Sequence, residues 1–84
     1  MYAIIGTWAV DGDLDPDQLS HVAEVVQAQP GFVHGYWGQS PDDVSTAHAV
    51  VLFREDDQAR SMADGIRAAI PSASLSVVQV LQEA

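Results

Sequence analysis

The sequence predicts an α+β fold of the ferredoxin-like type, a four-stranded antiparallel sheet with two helices on one face. Apolar, β-branched segments alternate with segments of helical periodicity in the order β-α-β-β-α-β. Each helical segment begins at an acidic capping residue and ends at a proline. Right-handed crossovers then place both helices on the same face of the sheet. The length of 84 residues predicts one domain, residues 1–84.

The first half of the chain predicts a strand, a helix and a second strand. The segment "YAIIGTWAV" (Tyr2–Val10) is apolar on nearly every residue, which is typical of a strand buried on both faces, and "DGDLDP" breaks it. Asp15 is expected to cap the helix, with Gln18 completing a capping box. Pro30 ends that helix, and "FVHGYWGQ" follows as the second strand.

The second half predicts a hairpin, a helix and a last strand. The polar cluster "SPDDVS" (40–45) is typical of a turn, and Thr46–Arg54 forms the third strand. Asp56 is expected to cap a helix over residues 57–70. Ser74–Gln82 is the fourth strand.

The predicted strands are apolar on both faces, although two helices cover only one. In the third strand, for example, Val50 and Leu52 alternate with Val51 and Phe53. Leaving five such side chains in water forfeits about 1.5–3 kcal/mol each, whereas a small domain has only about 5–10 kcal/mol of net stability. We therefore expect the second face to pack on another copy of the chain, as a homodimer of face-to-face sheets.

The composition limits the classes of partner. Twelve acidic residues and three arginines, with no lysine, give a net charge of −9, which excludes nucleic acid and anionic membranes as expected partners. The absence of cysteine excludes disulfides, thiolate metal sites and a cysteine nucleophile. There is no basic and apolar leader and no apolar run of about 20 residues, so a cytoplasmic location is expected.

Three stretches carry a family resemblance, "MYAIIGTW", "QAQPGFVHGYW" and "VVLFREDDQA". With these stretches the chain resembles the dimeric α/β barrels, and among them the small antibiotic-biosynthesis-monooxygenase-like proteins. The resemblance implies a homodimer whose sheets form a barrel, with a pocket between sheet and helices in each subunit. It also implies, for some members, oxygenation of aromatic polyketides without metal or bound cofactor.

The same resemblance bears on individual residues. Members often carry a tryptophan at the end of the third strand, and here Arg54 aligns there, or Phe53 after a slip of one residue. The haem-degrading members use a histidine on the second helix and an asparagine on the first strand. Residues 57–70 hold no histidine, and the chain has no asparagine, so haem degradation is not expected.

The candidate catalytic residues are His48, His34 and Arg54. The predicted hairpin register places Trp37 opposite His48 on one face, where an imidazole would move a proton beside a planar ligand, although a simple packing pair is the alternative. His34 is expected on the opposite face from His48, together with Tyr36. Arg54 would stabilise an anionic or enolate substrate, or else pair with a neighbouring acid on the surface.

The candidate ligand-binding residues are aromatic: Trp8, Tyr36, Trp37 and Phe53. A core position is the favoured explanation of Trp8, with the pocket wall as the alternative, while Tyr36 is equally explained as an interface residue. The three histidines lack the spacing of a metal site, so no metal and no cofactor are expected. Two hypotheses follow: a cofactor-independent monooxygenase-like protein acting on a small aromatic or polyketide-like molecule, or a non-catalytic homodimer that binds a small ligand or has a structural role.

Overall fold

A four-stranded antiparallel sheet with two helices on one face forms the protein, in a computed structural model that describes residues 1–10 and 15–84. The elements are, in chain order, β1 (Tyr2–Ala9), α1 (Pro16–Gln27), β2 (Phe32–Ser40), β3 (Asp43–Phe53), α2 (Asp56–Ala69) and β4 (Ser74–Gln79). The strands lie side by side in the order β2-β3-β1-β4. This order confirms the predicted ferredoxin-like fold. The predicted break over residues 11–14 lies outside the described residues.

Acidic residues cap both helices, as the sequence predicts. Asp15 caps α1, and its carboxylate accepts a hydrogen bond of 2.9 Å from the backbone N–H of Asp17. The cap of α2 is Glu55 rather than the predicted Asp56, and its backbone N–H donates to the side-chain oxygen of Gln58. A capping-box arrangement is therefore present at α2.

The connection from α1 to β2 depends on a glycine. Gly31 has a φ of +82°, a left-handed conformation in which a side chain is strained. A methyl group there would also overlap the Gln58 side chain at the start of α2. The Gly31 carbonyl accepts a 2.9 Å hydrogen bond from the backbone N–H of Arg54. These contacts of Gly31 connect the end of α1 to the end of β3 and to the start of α2.

The hairpin between β2 and β3 is tighter than the sequence predicts. We expected a turn over residues 40–45, but β3 already begins at Asp43, and Ser40 pairs directly with it. A register irregularity between Gln39 and Ser40 follows. The regular pairing beyond it, for example Gly38 with His48, differs by one residue from the predicted register.

The core lies between the sheet and the helices. Ile4, Val51 and Phe53 are its largest fully buried side chains, and Ala59 and Ala63 bring α2 close to them. The rings of Phe53 and Phe32 meet edge to face with centroids 6.2 Å apart. This packing occupies the end of the sheet at which β1 begins, because Tyr2 pairs with Phe53.

Neither described helix has the length and hydropathy that crossing a membrane requires.

Candidate functional site: a cavity between the helices and the sheet

The two helices stand apart over the sheet. Helix α1 packs against β2, whereas α2 packs against β4, β1 and β3. No Cα atom of α1 lies within 8 Å of a Cα atom of α2, and both helices are fully described. The gap opens into a cavity of about 520 Å³, which is within the usual range of roughly 300–1,000 Å³ for small-molecule sites.

Small residues on the two central strands form the floor of this cavity. One row across the sheet runs Trp37, Ala49, Gly6 and Leu75, and all four line the cavity. The Leu75 side chain lies over Gly6, where a methyl group would overlap it. Gly65 lines the α2 side, and a methyl group there would meet no atom within 4 Å. The space beside Gly65 is therefore open, whereas the Leu75 side chain fills the space over Gly6.

Two tryptophans, the only two of the chain, flank the floor. Trp37 lies on β2 and Trp8 on β1, with β3 between them. Two strand spacings and an offset of two residues along the strands place their backbones about 12 Å apart. The indole of Trp37 lies back along its own strand over Gly35. Its six-membered ring is so close that a methyl group at Gly35 would overlap it. An indole held in this way presents a flat apolar wall.

Among the lining residues that the structure describes, the polar side chains come from α1 and its N-cap. They are Asp15, Gln18 and His21, three of the twenty described lining residues. The Asp15 carboxylate is used by the helix cap. Gln18 and His21 lie three positions apart, so they are neighbours on the helix surface, and both are exposed. They form one polar edge on a lining that is otherwise apolar.

The opposite face of the sheet, which no helix covers, carries a different set of residues. We call this the open face; it contains Ala3, Ile5, Thr7, His34, Tyr36, His48, Val50, Leu52, Ser76 and Val78. Tyr36 is 63% exposed and Ile5 45% exposed.

The structure separates the candidates that the sequence brought together. The prediction that Trp37 lies opposite His48 is wrong, because Trp37 pairs with Ala49 and His48 pairs with Gly38. The prediction that His34 and His48 lie on opposite faces is also wrong, since both lie on the open face with Tyr36. Each error comes from the register at Ser40, where a slip of one residue exchanges the faces. Trp8 and Trp37 do line the cavity.

Phe53 and Arg54 lie at the far end of β3 from the tryptophans. Phe53 pairs with Tyr2, whereas Trp8 pairs with Ala47. Along β3, Phe53 and Ala47 are six residues and roughly 20 Å apart. Phe53 has no exposed surface and belongs to the core. Arg54 is exposed, and within the described residues it forms no ion pair with a neighbouring acid, since the ion pairs there join Arg60 to Asp56 and Arg67 to Asp64.

The cavity also contains residues that the sequence reasoning did not nominate. His21 is exposed on α1, and it also lines the cavity. A signal was present in the small residues Gly6 and Ala49, which occupy inward positions of central strands where bulky side chains are usual. Such positions leave room for a neighbouring side chain, as Leu75 over Gly6, or for a cavity.

One carboxylate outside the cavity has a perturbed pKa. The Ser45 side chain and backbone donate hydrogen bonds to Asp43 at the start of β3, and Thr46 donates another of 3.1 Å. These bonds, that of the Ser45 side chain first, lower the pKa of Asp43, and nearby His48 lowers it further. The network stabilises the hairpin turn and lies apart from the cavity.

Comparisons with known proteins support the fold. No family model and no curated protein sequence matches this chain. Two crystal structures of SnoaB, a cofactor-independent oxygenase from Streptomyces nogalater, superpose with TM-scores of 0.72 and, for a point mutant, 0.71, at 15% and 17% identity. The match covers 98% of this chain and 94% of SnoaB.

A candidate antibiotic biosynthesis monooxygenase from Deinococcus radiodurans superposes with a TM-score of 0.63 at 6% identity, over 100% of this chain and 96% of that one. The chain thus has the fold of these proteins over nearly its whole length. The resemblance that the sequence suggested is confirmed at the level of the fold.

Proposed function

We propose that this protein is a cofactor-independent monooxygenase-like protein that binds a small aromatic or polyketide-like molecule in the cavity between the helices and the sheet. One observation carries the proposal: the cavity is apolar, of ligand size, and flanked by Trp8 and Trp37, with polar groups along a single edge. An aromatic molecule with one hydrogen-bonding edge fits such a lining. The fold shared with SnoaB, a cofactor-independent oxygenase, supports the reaction class by analogy.

The proposed reaction converts a methylene group next to an aromatic or enol system into a carbonyl group. The substrate loses a proton, and the electron-rich carbon that results forms a bond to molecular oxygen. The hydroperoxide then loses water, so that CH₂ and O₂ become C=O and H₂O. In this scheme the protein orients the substrate, accepts the proton and excludes bulk water, and the tryptophan walls hold the ring system.

Oxygen consumption with anthrone tests this proposal, because anthrone carries such a methylene group and has an acidic enol. We expect uptake of one O₂ per anthraquinone formed, above the rate without protein. The methyl ether of the enol should give no uptake, since it has no proton to lose. Ala49→Leu would fill the cavity floor and should abolish the reaction. Ala68→Leu on the exposed side of α2 is the matched control and should leave it intact.

A non-catalytic role in ligand binding is the second candidate. The observation in its favour is the small number of polar groups among the described lining residues, three of twenty, with Asp15 already used as a helix cap. An enzyme site usually gathers several convergent polar groups. If anthrone binds without oxygen uptake, and Ala49→Leu removes the binding, this second function replaces the first.

The proposal includes assembly as a homodimer through the open face, with residues 1–84 acting as one domain in the cytoplasm. Ile5, Tyr36, Val50 and Val78 expose more than a third of their surface on this one face. A contiguous exposed apolar patch is typical of an interface. A two-fold dimer of face-to-face sheets would cover it with the same residues from a second copy.

His34, His48 and Tyr36 would then lie at or near the interface between the subunits. Catalytic roles for His48, His34 and Arg54, and a ligand-binding role for Tyr36 and Phe53, remain predictions. None of these five residues lines the cavity of its own chain.

A further inference from the structure

We infer that His21 on α1 is the group that receives the proton of the bound molecule, and that the ligand is a planar aromatic phenol or enol whose hydroxyl group faces His21 and Gln18. This inference rests on the proposed function, and it assigns the proton acceptor to a residue that the sequence analysis did not select. It follows from the position of His21, the chemistry of the lining and the location of the other histidines.

The position of His21 is set by the gap between the helices. Leu19 and Val26 face inward from α1, and Val26 is buried. His21 and Gln18 lie on the edge of the same helix and are exposed, yet they still line the cavity. They therefore lie at its mouth, where one end of a bound ring system meets solvent.

The chemistry of the lining leaves few alternatives for a proton acceptor. Among the described lining residues, only Asp15 and His21 have ionisable side chains, and one oxygen of the Asp15 carboxylate accepts the N-cap hydrogen bond from Asp17. The strands and α2 contribute no ionisable side chain to the described lining. An imidazole exchanges protons near neutral pH. His34 and His48 lie on the far side of the sheet from the cavity.

The proposed step is a single proton transfer. The hydroxyl proton of the phenol or enol passes to an imidazole nitrogen of His21, and the resulting anion keeps a hydrogen bond from the Gln18 amide or from the imidazolium. When the anion has reacted with O₂, the imidazolium returns the proton to the peroxide. His21 therefore begins and ends the cycle in the same state.

Calorimetric titration with naphthol and with its methyl ether tests the binding part. The two compounds share a ring system, but the ether cannot donate a hydrogen bond. We expect the protein to bind naphthol about two- to tenfold more tightly, the usual worth of one hydrogen bond. His21→Ala should bind both compounds alike, while Ser20→Ala, on the adjacent exposed position outside the lining, should keep the preference. Both variants should fold, because alanine favours helix.

Oxygen uptake with anthrone tests the proton transfer. His21→Gln keeps a hydrogen-bonding group of similar reach but cannot take up a proton at neutral pH. It should retain the preference for naphthol and lose roughly a hundredfold or more in the rate of oxygen uptake, as expected for a missing general base. A role in positioning alone would leave the rate of this variant nearly unchanged.

The outcomes separate the inference from the proposed function. If naphthol and its ether bind equally to the wild-type protein, or if His21→Ala keeps the preference, His21 is not the partner of the hydroxyl group, and the cavity remains a site for apolar aromatics. If neither compound binds, the proposed ligand class fails, and the inference fails with it. Full oxygen uptake by His21→Gln would refute the proton transfer alone.

Discussion

The two faces of the sheet are built from the same four strands but differ in how far their side chains are buried. The helix-covered face buries Ile4, Val51 and Phe53 almost completely, and beside this packed region it leaves a cavity. The open face carries side chains of similar hydropathy that remain exposed, such as Tyr36 and Ile5. The comparison indicates that one face stabilises the subunit and contains the cavity, while the other leaves an apolar surface exposed.

The largest expected effect is on stability, and it differs between two adjacent residues that lie on opposite faces of the sheet. Phe53→Ala removes a fully buried ring and should lower the free energy of unfolding by about 3–5 kcal/mol. Leu52→Ala, on the open face, should cost less than half as much in dilute solution, where any dimer has dissociated. Urea denaturation followed by circular dichroism measures both. Equal losses would mean that the open face is as essential to the subunit as the core.

The next effect concerns the open face alone. Val50→Asp places a charge in the middle of it, beside Tyr36 and Ile5. A carboxylate buried without a partner costs several kcal/mol, so the dissociation constant of the dimer should rise at least about a hundredfold. Sedimentation at several concentrations measures this. Ser20→Asp on α1 adds the same charge elsewhere and should leave the assembly unchanged; a Val50→Asp dimer of undiminished stability would exclude this face as the interface.

A smaller effect probes the helix-covered face. Gly65 lies inside α2 with open space where a methyl group would stand. Gly65→Ala should therefore raise the free energy of unfolding by roughly 0.5–1 kcal/mol, because glycine weakens a helix interior. Thermal unfolding measures the gain. A loss of stability would indicate that the space beside α2 is already filled.

The smallest effect lies in the hairpin turn. The hydrogen bonds from Ser45 and Thr46 lower the pKa of Asp43 from its ordinary value of 3.8. Their contribution is therefore fully present above about pH 4, and it is lost as the pH falls through the depressed value. An NMR titration of the Ser45 and Thr46 amides should show a midpoint below 3.8, and Asp43→Asn should show no such transition. A midpoint at or above 3.8 in the wild-type protein would contradict the hydrogen-bonded turn.

The sequence predicted the fold well because the fold depends on long patterns. The apolar strands extend over many residues, and acidic caps and prolines mark the two ends of each helix. Small errors in the bounds of an element therefore leave the predicted fold unchanged. Thus α2 begins at Asp56 instead of Asp57, and β4 ends at Gln79 instead of Gln82, without altering the order of the strands.

The candidate site was harder to predict because it depends on single positions. One residue of register at Ser40 decides whether Trp37 and His48 share a face, and the tight turn at residues 41–42 could not be distinguished from a longer one. His21 has no local signal at all. Its place at the cavity depends on how far α1 stands from α2, which is a property of the packed fold and not of the sequence around it.

A native mass spectrum of the protein, recorded after incubation with anthrone under argon, tests the division between the two faces most directly. We expect the mass of a dimer carrying two molecules of anthrone, one for each cavity, and a dimer without ligand for Ala49→Leu. A monomer would contradict the role of the open face. A wild-type dimer that binds no anthrone would contradict the proposed role of the cavity.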